Sequence, residues 1–513
     1  MMTDNSLIST GIYGLDHILR GGVLKGNVIL VEGITGTGKT VFGIEFVYRG
    51  ITEFGEPGLI VVFETTPAKI VRDANGFGWD LDRLQKENQL RIIFTTPQVL
   101  LHELTSPASL LLETAAQIGA KRIFIDGVNL LDGVRAEDRS DGNCEFRVGL
   151  QRLLEGLTRG ELTAVISHEV ATGQSLATTS PIAEFLADTI IHLSRDNRDA
   201  GVQRTIEIVK SRGQDYDSGR HSLEIADKKG LRVFRRVQLP LRISSPQPSS
   251  FDFDSAIGIQ ALDDLLGGGI YRGAATAMCG VSGVGKTILG MQLLLEGAMK
   301  LGQRGLLVSL DEQPAQISRN AKTLGLQWEE AVDQGLIHVF HDSPQELEIN
   351  AHFDRIRETI ESNNIQRLVI DGMTSYSTAL KDHRVYRDFF HTLVSFTKQR
   401  LMLAFFSYEN PEVFGITHFM PDFPVNSIVD NIFVLNFVEL GNTLRRSLTV
   451  AKTRGRNNMF VTREFNIGQG GISMPADRGE PLPQLPFSRY YGLLSRAPTR
   501  VSPDIHGLNV ISE

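Results

Sequence analysis

The sequence predicts an α/β protein built from two tandem copies of one domain, each a mostly parallel sheet flanked by helices. Three observations carry this reading. Two glycine-rich loops share one pattern, three blocks of sequence recur in the same order, and apolar β-branched runs alternate with helix-length segments. The first block runs from Gly11 to Thr40 and returns, without a gap, from Gly258 to Thr287, an offset of 247 (286 − 39). The second, Arg122-Ile-Phe-Ile-Asp126-Gly127, matches Arg367-Leu-Val-Ile-Asp371-Gly372. The third, Arg204-Thr-Ile-Glu-Ile-Val-Lys210-Ser-Arg212-Gly213, matches Arg446-Ser-Leu-Thr-Val-Ala-Lys452-Thr-Arg454-Gly455.

The boundaries follow composition. The first domain spans 1–237, and a Pro- and Ser-bearing linker follows at 238–250. The second domain spans 251–474, and a proline-punctuated tail fills 475–513. Within the first copy, Val28–Glu32, Gly58–Phe63, Arg122–Asp126 and Leu162–Ser167 read as buried strands. Thr40–Arg49 and Phe146–Arg159 read as helices between them. Right-handed crossovers place the strands' carboxyl ends, and the loops after them, along one ligand edge.

Composition excludes several classes. The 513 residues are 41% apolar and 22% charged, enough to build cores and too apolar for a disordered chain. Two cysteines cannot form a disulfide framework or a multi-cysteine zinc site. No apolar run reaches the ~18 residues of a spanning helix, and the start lacks a signal-peptide pattern, so a cytoplasmic location without membrane is expected. A net charge of −8 argues against indiscriminate nucleic-acid binding.

The pattern G-x-x-x-x-G-K-[ST] occurs twice, each time between a predicted strand and a predicted helix. Gly33, Thr35, Gly36, Thr37, Gly38, Lys39 and Thr40 form the first copy, and Gly280, Ser282, Gly283, Val284, Gly285, Lys286 and Thr287 the second. Glycines let backbone N–H groups turn inward as an anion nest, and the following helix N-terminus adds positive potential. Lys39 and Lys286 are placed to reach β- and γ-phosphates of ATP, while Thr40 and Thr287 offer hydroxyls to Mg²⁺. Asp126 and Asp371 end apolar strands, where an acidic residue can hold that cation through water. Glu64, Asp311 and Glu312 follow the next strand and are the candidates for accepting a proton from the attacking oxygen. In the third block a period of two puts Arg204, Ile206, Ile208, Lys210 and Arg212 on one face, and likewise Arg446, Leu448, Val450, Lys452 and Arg454.

Two such loops, each led by a G-x-x-x-L-D…G-G segment and followed by K-x-R-G, resemble the bacterial KaiC family over nearly the whole chain. The resemblance implies two tandem RecA-like P-loop NTPase domains, ATP and Mg²⁺ as ligands, and a homohexamer with ATP between neighbouring subunits. It implies that Lys39, Thr40 and Glu64 act from one subunit and Lys210 and Arg212 from the next. Lys286, Thr287, Asp311 and Glu312 would face Lys452 and Arg454 in the same way. Serine/threonine autokinase activity in the second domain and signalling to a KaiB-like partner also follow from the family. Two positions depart from it: the paired glutamates are Glu64-Thr65 and Asp311-Glu312, and the phosphoacceptor pair is Asn426-Ser427, leaving Ser427 as the candidate acceptor. The rival readings are a RecA- or DnaB-like nucleic-acid-dependent ATPase and a nucleotide-dependent scaffold with little turnover. A nucleic-acid motor should carry basic, aromatic loops. The loop 128–143 after Asp126 has no aromatic and is mixed in sign, and the one after Asp371 offers only Tyr376, Lys381 and Arg384.

Overall fold

The computed structural model describes residues 6–106, 109–127, 151, 153–170, 187–198, 201–237, 256–380, 382–409, 425–440, 443–454 and 461–475. The expected linker 238–250 and the tail from 476, like the loop 128–143, lie outside them. The chain divides into two compact units, residues 1–237 with 350–354, and residues 238–349 with 355–513. The segment 350–354 thus groups with the first unit, although it lies within the expected second domain.

In the first unit, nine strands are arranged in the order Gly230–Phe234, Arg220–Ala226, Gly201–Ser211, Thr189–Arg198, Val28–Gly33, Thr163–Glu169, Arg122–Asp126, Gly58–Val62 and Leu90–Phe94. The six from Thr189–Arg198 to Leu90–Phe94 are parallel, and the other three extend the sheet antiparallel. The second unit repeats this order with Ala275–Gly280 in the central place of Val28–Gly33. Its neighbours are Leu403–Glu409 and Asn431–Leu440. The central strand is buried throughout in both units, as expected of a parallel sheet covered on two faces. The carboxyl ends of the parallel strands therefore share one edge, and both glycine loops leave the sheet there.

Several elements are longer or different from their sequence reading. The first helix after the loop runs Lys39–Phe54, past Arg49, until Gly55 at φ 66 closes it with N–H bonds to the Ile51 carbonyl. Of the expected helix 146–159, residues 153–159 are helical and 146–150 lie outside the described set. The segment after Asp371 is a helix, Met373–Leu380, on which Tyr376 is fully buried and stacked on Phe389 at 5.1 Å. That aromatic is core, so no base can stack on it.

The recurring Leu-Asp and Arg residues are structural. Asp16 accepts bonds from the Thr10 N–H (2.8 Å) and hydroxyl (2.7 Å), and Asp263 from the N–H groups of Ile257 (2.7 Å) and Gly258 (3.0 Å). Arg122, fully buried, donates to Glu56 (2.6 Å) and to the Phe46 (3.0 Å) and Ser9 (2.8 Å) carbonyls. Arg367 repeats this toward Gln303 (2.7 Å) and the Leu293 carbonyl (2.7 Å). Each arginine thereby ties the leading segment or its helix to a central strand, satisfying carbonyls that would otherwise be buried without donors.

Glu45, on the helix behind the first loop, is buried and accepts from the Leu231 N–H at 2.7 Å. Burial pushes its carboxyl up to about 7, an effect the Leu231 bond and Arg49 only partly offset. The folded chain then holds a proton that the unfolded chain releases at lower pH, so this group's contribution to stability falls as pH rises from its unfolded value of ~4.3 toward 7. Glu45→Gln is expected to flatten that part of the curve by about 4 kcal/mol at most, each pKa unit being ~1.4 kcal/mol. Urea midpoints at pH 5 and pH 8 measure it.

Candidate nucleotide-binding sites

The central strand of each unit ends on a glycine that nothing larger could replace. A Cβ on Gly33 would sit 2.4 Å from the Leu193 carbonyl oxygen, and one on Gly280 would sit 2.3 Å from that of Leu435. Gly38 (φ 108) and Gly285 (φ 118) turn the chain into the helices beginning at Lys39 and Lys286, with a left-handed backbone that side chains disfavour. In each loop the lysine folds over the curl. Lys39 Nζ donates to the carbonyls of Gly33 (2.8 Å) and Ile34 (3.0 Å), and Lys286 Nζ to those of Gly280 and Val281 (both 2.9 Å). Burial pulls both ammonium groups below their ordinary range; Glu169 and Asp126 oppose this at Lys39, Glu409 and Asp371 at Lys286. Thr35 donates to Glu169 and Thr37 to the Ile34 carbonyl, so the side chains of this loop brace its own geometry.

The residue after each lysine meets the strand-terminal aspartate. Thr40 Oγ1 lies 3.1 Å from an Asp126 carboxylate oxygen, and Thr287 Oγ1 donates to Asp371 at 2.7 Å. Each aspartate is fixed from its other side by a serine on the next strand. Ser167 Oγ donates to Asp126 (2.7 Å) and accepts from the Gly127 N–H (2.7 Å). Ser407 makes the same pair of bonds to Asp371 and the Gly372 N–H. A hydroxyl and a held carboxylate beside a phosphate nest are the oxygen donors Mg²⁺ takes while keeping several waters. Among the described residues, no group of three or more His, Cys, Asp or Glu can hold a metal ion.

The candidate proton acceptors leave the same edge one strand further on. Val62 pairs with Asp126 and Ser309 with Asp371, so Glu64 and Asp311 stand two residues beyond those pairs. Glu64 is exposed. Asp311 accepts from Ser375 Oγ; burial raises its carboxyl above the ordinary range, and Asp371 and Glu409 add to this. Glu312 diverges from it: its N–H bonds Ser309 Oγ (3.0 Å) and its carboxylate accepts from Asn320 (3.2 Å). Burial and then Asp371 raise its carboxyl too. Asp311 is the member of the pair whose surroundings include Lys286.

The six basic residues of the third block do not converge on one site within a chain. The sheet pairing shifts at Val209, because Ile191 pairs with Ile208 while its neighbour Ile190 pairs with Lys210. That extra residue turns Lys210 to the face opposite Arg204, Ile206 and Ile208. Ala451 does the same, since Phe433 pairs with Val450 and Ile432 with Lys452. The single cationic face read from period two is therefore corrected in both units. Arg204 and Arg446 stay at the loop edge, where Arg204 Nε approaches the Gly36 carbonyl at 3.5 Å and Arg446 lies over the Phe437 ring at 5.4 Å. Lys210 and Arg212 sit at the other end of the sheet, about 20 Å away along six residues of strand. There Lys210 donates to the Ala187 carbonyl (2.7 Å) and the Arg212 N–H to that of Asp188 (2.9 Å). Lys452 and Arg454 mirror them at Val429 (2.8 Å) and Asp430 (3.1 Å). Burial, then Arg454, bring Lys452 down to about 8. Ser427 is exposed on the short helix Val425–Ile428 at this same end, its carbonyl accepting from Arg454 at 2.9 Å.

Sequence reasoning missed three repeated pairs. Ser167 and Ser407 steady the aspartates, and Glu169 and Glu409 flank the lysines. Asp188 and Asp430 hold the first N–H of the central strand, at Val28 (3.0 Å) and Ala275 (2.9 Å). A signal was available, because Ser167-His-Glu169 recurs as Ser407-Tyr-Glu409 and Asp188-Thr-Ile as Asp430-Asn-Ile.

Comparison with known proteins agrees with the duplicated site. The family model described as "ATPase: KaiC" matches twice, over residues 8–238 and 255–478. The circadian clock oscillator protein KaiC of Acaryochloris marina is 30% identical over 505 residues, which covers 97% of this chain and 92% of that protein. KaiC 1 of Synechocystis is 29% identical with the same coverage, and KaiC of Synechococcus elongatus is 29% identical over 96% of this chain. Among the described residues, no helix is long and apolar enough to cross a membrane. The family model matched over both halves and relatives about 30% identical along nearly the whole chain, in agreement with two nine-stranded sheets of one order, place this chain in the KaiC family of ATPases.

Proposed function

We propose that the protein binds and hydrolyses Mg-ATP at one site in each domain, and that each site is completed by a neighbouring copy of the chain. The observation that supports it best is the threonine–aspartate–serine set behind both phosphate loops, built from two strands and a helix N-terminus in the same way twice. Lys39 and Lys286 bind the β- and γ-phosphates, while Thr40 with Asp126, and Thr287 with Asp371, would hold Mg²⁺, which would supply charge neutralisation at the phosphate oxygens. Glu64 in the first domain, and Asp311 with Glu312 beside it in the second, orient the attacking water and take its proton. Lys210 and Arg212, with Lys452 and Arg454, lie a sheet-length from their own loops, a placement that favours their serving the γ-phosphate of the next subunit in a homohexamer.

The same placement governs autophosphorylation. Ser427 shares its sheet edge with Lys452 and Arg454, so an ATP bound at a neighbour's loop is the donor this arrangement favours. Ser427→Ala is expected to remove label from the 426–430 peptide after incubation with γ-labelled ATP, with phosphate release continuing. Wild-type chain that releases phosphate and carries no label there is a hydrolase without this kinase step. The inter-subunit reading has its own test, since ligands that bind the assembled form better drive assembly. Light scattering should show a hexamer with Mg-ATP and smaller species once nucleotide is removed. A monomer that binds ATP equally well contradicts it.

A further inference from the structure

The two domains differ most sharply just behind the first glycine of each loop. In the first, Glu32 is 0% exposed and lies between His168 and His192, its register partners on the two neighbouring strands. His168 Nδ1 is 2.9 Å from one carboxylate oxygen and His192 Nε2 is 2.8 Å from the other. In the second domain, the same register positions hold Cys279, Tyr408 and Val434. Cys279 is buried, with its thiol pushed up to about 12 by that burial, and the Tyr408 hydroxyl pairs with that of Tyr386 at 3.3 Å. One loop therefore has a titratable cluster at its back and the other a neutral set.

A buried carboxylate one residue from a phosphate nest opposes anion binding, because its charge has the sign of the ligand's. Two imidazoles bonded to it can cancel that charge as they gain protons. We propose that Glu32, His168 and His192 form a positioning cluster that sets the charge behind the first nucleotide site, so that the first site gains affinity relative to the second as pH falls. This inference rests on the nucleotide-binding reading of the loops. Burial alone would raise the Glu32 carboxyl, but bonds from His168 and His192 outweigh it and hold it below the usual carboxylate range. The other charged groups near this loop are Lys39 with Glu169 and Asp126 on the ligand side, and Arg204 and Arg195 at Gly36. Glu45 titrates on the helix after the loop, where it is bonded to Leu231 and paired with Arg49 at 3.4 Å. It acts in the same direction and must be separated from the cluster.

The test is equilibrium binding of Mg-ADP to the full chain at pH 8 and pH 6. Lys286→Ala reports the first site and Lys39→Ala the second, so protonation of the nucleotide itself is common to both. With one unit of like charge cancelled behind the loop, affinity at the first site should rise about fivefold more than at the second. Glu32→Gln, which keeps the side chain's size and removes its charge, should tighten the first site at pH 8, and the His168→Gln/His192→Gln double variant, which removes the groups that gain protons, should abolish the difference. Equal pH responses at the two sites overturn the proposal, and so does an excess that survives the double histidine variant, which would assign it to Glu45. If neither lysine substitution lowers occupancy at pH 8, the nucleotide reading itself is wrong, and that outcome appears before pH is varied.

Discussion

Lys39→Ala and Lys286→Ala are each expected to remove about half of the nucleotide retained per chain, because each strips the one charged donor from a loop whose remaining donors are backbone N–H groups. The effect should be large at one site and absent at the other. Each lysine serves its own loop, with the carbonyls of Gly33 and Ile34 or of Gly280 and Val281 as its neighbours. Both are also partly desolvated, which favours a strong electrostatic contribution once phosphate oxygens replace those carbonyls as partners. Nucleotide released from denatured protein and counted by chromatography measures this. Unchanged stoichiometry in both variants would remove the loops from the account.

Glu64→Gln should cost about 10²–10⁴ in first-domain turnover, the usual size of a general-base effect, while ATP affinity is kept. The substitution preserves shape and hydrogen-bonding reach and removes the proton acceptor. Because Glu64 is exposed and two residues past the Val62–Asp126 pair, it can change without disturbing the core. The assay is phosphate release in a Lys286→Ala background, so that only the first domain reports. Turnover at the parent rate would make Glu64 a strand-end residue, with the water oriented by another group; Glu169, 3.8 Å from Lys39, is then the nearest carboxylate to examine.

The duplicated fold and the loop edge were legible because their signals are local. A glycine loop between a strand and a helix is written in consecutive residues, and Asp126 and Asp371 end their strands at the edge the motif requires. The basic strands were legible only in part. Alternation from Arg204 to Ile208 holds, but a bulge at Val209 leaves no mark in an apolar–polar pattern, so the face of Lys210 depends on pairing with Ile190. The partners of Arg122 and Arg367 were not legible. Both arginines are buried because the backbone around them supplies carbonyls, which is a tertiary fact that no local pattern carries. The Glu32 cluster was hidden for a similar reason, since its three residues lie 24 to 160 positions apart and meet only through strand register.

The central claim is that ATP turnover belongs to two loops, one in each domain, and to nothing else in the chain. Steady-state phosphate release by the wild-type protein, the two single lysine variants and the Lys39→Ala/Lys286→Ala double variant tests it most directly. Each single variant is expected to keep the activity of its intact domain, and the double variant to fall to the rate of buffer. Phosphate release by the double variant at the wild-type rate would contradict it.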